Sequence, residues 1–132
     1  MTGVAAPRRR GVNLLHMLSR MVVADTGLVV ADHVRHTASV RERMRGLRAH
    51  ENLARGEALL LTPCKQVHTF GMRFPIDVVF CDREWRVIRV TRAMLPGRVG
   101  RLVPRARHMI ELAEGAAAGV RVGDQLLVEN RS

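Results

Sequence analysis

The stretch from Cys64 to Cys81 reads CKQVHTFGMRFPIDVVFC and holds both cysteines, one of six histidines and all three phenylalanines of the chain. At period two, His68, Phe70, Met72, Phe74, Ile76, Val78 and Phe80 share one face. Thr69, Gly71, Arg73, Asp77, Val79 and Cys81 share the other. One face is nearly all apolar, as a strand against a core requires. Gly71 and Pro75 argue against one unbroken central strand, so a bend, bulge or edge position is expected there.

Working outward, the pattern stays β-rich. Glu57 to Thr62, EALLLT, is a short strand that Pro63 ends. After Cys81, DREW forms a turn, RVIRVTRAM a strand, and PGRVGRLVPRAR a loop rich in Pro, Gly and Arg. HMIEL is a strand, EGAAAGV a helical turn or short helix, VGD a turn, and QLLVE the last strand. Towards the amino end, Leu14, Leu15, Leu18, Met21 and Val22 have helical spacing. The Val-rich runs around Asp25-Thr26-Gly27 nevertheless favour a β-hairpin over Met21 to Val34. Ser39 and Glu42 form a capping box, and Val40, Met44 and Leu47 a stripe, which predicts one main helix near residues 39–49. The fold class is α+β, mainly antiparallel β, with a small sheet curled into a barrel or sandwich. Residues 1–12 are expected to be a disordered basic tail and residues 13–132 a single domain.

With 47% hydrophobic residues among 132, the chain can bury a core without disulfides or metal. The basic start PRRRGVNLLHML resembles an export signal, but Asn13, His16, Ser19 and Arg20 interrupt its apolar stretch. The expectation is a cytoplasmic protein without a membrane span, whose cysteines are thiols. The net charge of +10 comes from 21 Arg and one Lys, Lys65. Residues 1–55 carry about +6 and residues 83–107 about +7. Such a field favours anionic partners, an acidic protein surface or a small anionic ligand, although charge also serves solubility.

HTFGMRFPIDVVFCD, preceded by RMRGL and GEALLLTPC and followed by HMIELAEGAAAGVRVGD, resembles the prokaryotic domain of unknown function 192 family from about Arg20 to about Val128. The resemblance implies a compact β-rich fold with a helix near the amino end, and no established activity. For this short branch it suggests a pilus-assembly or secretion context. Trp85 stands where relatives have a turn glycine, implying another type of turn. His68 stands where relatives carry an aromatic residue, implying that it packs.

Four residues are ligand-binding candidates: Cys64, His68, Arg73 and Asp77. Cys64, His68 and Cys81 are metal-ligand types, but a structural zinc site wants a second close-spaced pair that the sequence lacks. No metal or cofactor is therefore expected. Cys64, His68 and Asp77 also read as nucleophile, base and orienter of an enzyme, with no recognised nucleophile signature around Cys64. Arg73 and Asp77 flank Pro75 and read as an anion clamp, an ion pair, or a carboxylate capping local amides; the capping reading of Asp77 is preferred. The arginines between Arg83 and Arg107 alternate strand faces and lack stacking aromatics, which makes nucleic acid the less favoured partner. These readings converge on a small non-catalytic binding module. A Cys/His-centred enzyme and a weak nucleic-acid binder are the alternatives.

Overall fold

The computed structural model describes residues 19–37 and 53–130. Among the described residues, seven strands form one sheet: β1 (Ser19–Val23), β2 (Val29–Thr37), β3 (Glu57–Leu61), β4 (Ile76–Cys81), β5 (Val87–Met94), β6 (His108–Ala113) and β7 (Leu126–Asn130). Their order is β5-β4-β6-β3-β2-β1-β7. Every neighbouring pair is antiparallel except β2 and β3, which run parallel with Val34 opposite Ala58. The hairpin of β1 and β2 turns at residues 24–28, where Gly27 N–H bonds the Val23 carbonyl. The main helix expected near residues 39–49 lies outside the described residues.

The sheet curls into a half-barrel until its edge strands touch at one corner. There Arg86 and Gln125 form an antiparallel bridge. Val87 N–H donates to the Asp124 carbonyl at 2.8 Å, and Leu126 N–H to the Trp85 carbonyl at 2.9 Å. Beyond that corner, residues 114–120 fill the gap as successive turns, the helical-turn alternative of the sequence reading and not a short helix. Ala117 and Val120 are buried there, and the Arg92 guanidinium donates to both of their carbonyls.

The curl creates two cores. One takes side chains from all seven strands, among them Met21, Val34, Leu60, Val79, Val87, Ile110 and Leu126, and so fills the concave side. The other lies on the convex side and gathers Leu59, Leu61, Ile76, Val78, Phe80 and Met109. Two loops cover it, contributing Val67, Met72 and Ala106.

This arrangement corrects the reading of residues 68–81. Only Ile76–Cys81 is a strand, and all six residues are buried, so neither face is solvated. Gly71 takes φ 84°, a conformation glycine adopts without steric cost, and breaks the period. Before that break the expected faces are reversed: Phe70 is 50% exposed and Thr69 is fully buried. Pro75 falls just before β4, where its missing N–H costs the ladder nothing.

Candidate functional site

Asp77 lies on the concave face of β4 and is 1% exposed. Its carboxylate accepts three backbone N–H bonds, from Ala93 at 2.8 Å, Gly115 at 3.0 Å and Ala117 at 2.9 Å. A buried carboxylate is tolerated when such donors replace its hydration. These bonds tie the end of β5 and the 114–120 turn to the middle of the sheet. Gly115 has φ 90°, which turns its N–H towards Asp77 in a backbone region that side chains disfavour. Arg73 is exposed on the loop before β4, so it and Asp77 form neither a pair nor a clamp.

Cys64 and Cys81 lie on opposite sides of the sheet, and neither is in a disulfide. Cys64 packs against the convex core, with its Sγ 3.7 Å from Met109 Sδ. Cys81 is completely buried in the concave core, and burial, then the Asp82 charge, pushes its thiol up to about 12. That thiol is un-ionised at neutral pH and so a poor nucleophile. His68 is half-buried and stacks on Phe70 with ring centroids 5.4 Å apart. Its backbone bridges Val99 on the neighbouring loop. Asp77 does not complete a triad with Cys64 and His68: its carboxylate is occupied by amides on the other side of the sheet. Among the described residues, no group of three or more His, Cys, Asp or Glu side chains could hold a metal ion.

The structure assembles two features that the sequence did not signal. At one end of the half-barrel, Trp85 stacks on His108 with centroids 3.6 Å apart and planes within 8°. Trp85 has φ 67°, so the tryptophan occupies the left-handed conformation that a turn glycine would take. His108 is buried, and its Nδ1 is 2.8 Å from Thr62 Oγ1. Burial, then the charges of Arg107 and His36, lower its pKa to about 4, against opposing effects of Asp82 and a hydrogen bond with the Arg83 backbone. The folded state therefore takes up the His108 proton only near pH 4, whereas the unfolded chain does so near 6.5. This contribution to stability is complete above pH 6.5 and is lost as pH falls towards 4. Allowing for solvent at the rim, it amounts to about 1–2 kcal/mol. In urea titrations between pH 7.5 and 4, His108→Phe, which keeps a ring against Trp85, should lose part of the acid-side slope. An unchanged slope would contradict this account.

The second feature is an irregular ladder between residues 64–72 and 95–106. Gly100 N–H bonds the Val67 carbonyl, Thr69 N–H the Arg98 carbonyl, Gly97 N–H the Thr69 carbonyl, and Val103 N–H the Lys65 carbonyl. Thr69 is its hub. Its hydroxyl donates to the Leu95 carbonyl at 2.7 Å and accepts the Arg98 N–H at 2.8 Å. Lys65 Nζ donates to the carbonyls of Pro104 and Ala106. The outer surface of the ladder carries Phe70, Leu95, Val99 and Leu102, each about half exposed or more, among the exposed Arg73, Arg98, Arg101 and Arg105.

The family model of DUF192, described as "Uncharacterized ACR", matches residues 21–128. The chain belongs to this family. The family is uncharacterised, so membership brings no activity with it. No curated protein matches the chain. Two solved structures share the DUF192 chain's fold. One is a protein of unknown function from Novosphingobium aromaticivorans DSM 12444, with TM-score 0.72 and 20% identity, covering 93% of each chain. The other is a "putative transcription regulator" from Sinorhizobium meliloti 1021, with TM-score 0.65 and 18% identity, covering 83% of this chain and 91% of that one.

Proposed function

We propose that this DUF192 protein is a small non-catalytic binding module whose partner is anionic, and that it meets this partner through the 64–72/95–106 ladder. One observation carries the reading: five exposed arginines, Arg73, Arg98, Arg101, Arg105 and Arg107, stand on segments 64–73 and 95–107, which contain no Asp or Glu. Among the described residues, none of these arginines has an ion pair. Guanidinium groups held on a braced loop present paired donors to carboxylate or phosphate oxygens. The enzyme reading, centred on Cys64 and His68, has less support, because Asp77, its orienter, is bound to amides on the other side of the sheet.

The test is titration of the full chain with labelled poly-L-glutamate at low and physiological salt, followed by fluorescence anisotropy. Binding should weaken with salt, because the screening length shrinks to ~8 Å at physiological ionic strength. The triple reversal R98E/R101E/R105E should abolish it. Equal binding by that variant would move the interaction elsewhere on the basic surface. Nucleic acid is the second reading, prompted by the transcription-regulator description of one fold neighbour. It is less favoured, since among the described residues Phe70 is the exposed phenylalanine of the ladder, and Trp85 is held against His108.

A further inference from the structure

The ladder offers more than charge. Phe70, Leu95, Val99 and Leu102 are 50%, 49%, 59% and 60% exposed. They alternate with the cations along one loop: Leu95, Arg98, Val99, Arg101, Leu102, Arg105. Phe70 joins them through its stack on His68, which bridges Val99. A wholly polar anion would satisfy the arginines and leave these apolar groups in water. The partner must therefore present anionic groups and apolar matter within one side-chain length of each other.

The backbone narrows the choice. The N–H groups of Thr69, Gly97, Arg98, Gly100 and Val103 are all bonded within the ladder. A peptide strand would find none of these five donors available for pairing, which leaves the exposed side chains as the main contact surface. A lipid interface suits such a surface, with phosphates at the level of the guanidinium groups and acyl chains just beneath. We propose that the ladder docks on the surface of an anionic lipid bilayer, with Phe70, Val99 and Leu102 entering the interface and Arg98, Arg101 and Arg105 contacting lipid phosphates. This rests on the anionic-partner reading and names its source.

The experiment is co-sedimentation of the full chain with two kinds of vesicle, phosphatidylcholine alone and phosphatidylglycerol mixed equally with phosphatidylcholine. At physiological salt the chain should pellet with the anionic vesicles and stay in solution with the zwitterionic ones. R98E/R101E/R105E should weaken pelleting by more than roughly fiftyfold, since each juxtamembrane cation contributes severalfold. V99S/L102S leaves the charge unchanged and should weaken it roughly tenfold through lost apolar insertion. Both variants alter exposed side chains, and an unchanged urea midpoint verifies that they fold. Undiminished pelleting by V99S/L102S overturns the proposal, as does equal pelleting with phosphatidylcholine. Binding to poly-L-glutamate without binding to anionic vesicles overturns the bilayer and leaves an anionic protein partner. Binding to neither overturns both readings.

Discussion

Replacing Asp77 by alanine is expected to lower the unfolding free energy by about 3–5 kcal/mol, because each buried donor left without an acceptor costs roughly 1–3 kcal/mol. Three amides lose their partner at once, those of Ala93, Gly115 and Ala117. The donors lie on two separate segments, so the 114–120 turn should loosen along with the end of β5. Asp77→Asn keeps an oxygen for one donor set but turns an amide N–H₂ on the other, and should cost less than alanine without being neutral. Urea denaturation of the three proteins measures this directly. An Asp77→Ala midpoint equal to wild type would mean that the carboxylate is not structural, and would return Asp77 to the list of ligand-binding groups.

Phe80→Ala is the second large effect. Phe80 is 1% exposed, sits opposite Met109 of β6 and Arg89 of β5, and is the largest fully buried side chain. Truncating such a phenylalanine costs about 3–5 kcal/mol through lost burial and the cavity left behind. Phe80→Leu should recover most of that loss. The cost is measured as a shift in urea midpoint at constant slope. A small shift would show that the convex core under the two loops is loosely packed.

The strands were legible in the sequence where β-branched residues dominate. The hairpin over residues 21–34, the runs at 57–62 and 86–94, and HMIEL and QLLVE all correspond to strands. Period-two reading failed on residues 68–74 because it assumes one solvated face. Here the convex face is covered by loops, and a loop hub has no period: Thr69 is buried for its hydroxyl bonds to Leu95 and Arg98, not for hydrophobicity. The parallel pairing of β2 with β3 could not be read from composition either.

Of the candidate site, the residues were visible and their separation was not. Cys64, His68, Arg73 and Asp77 are close in sequence, yet the half-barrel sends Asp77 to its concave side and Cys64 to its convex side. The basic segment was visible as charge. Its apolar surface was not legible, because nothing in a loop rich in Pro, Gly and Arg fixes which way Leu95, Val99 and Leu102 face; the structure leaves all three exposed.

The contact between β1 and β7 places Ser19 beside Asn130 and Met21 beside Val128. A chain emerging from the ribosome therefore holds its first strand with one flank unpaired until β7 has been made. Before residues 123–130 are available, the concave core lacks Leu126 and the corner at Arg86 and Gln125 cannot form. Closure joins segments about as far apart in sequence as the described chain allows, the kind of contact that slows folding most. A product truncated before β7 would expose the interior of the half-barrel along its open seam.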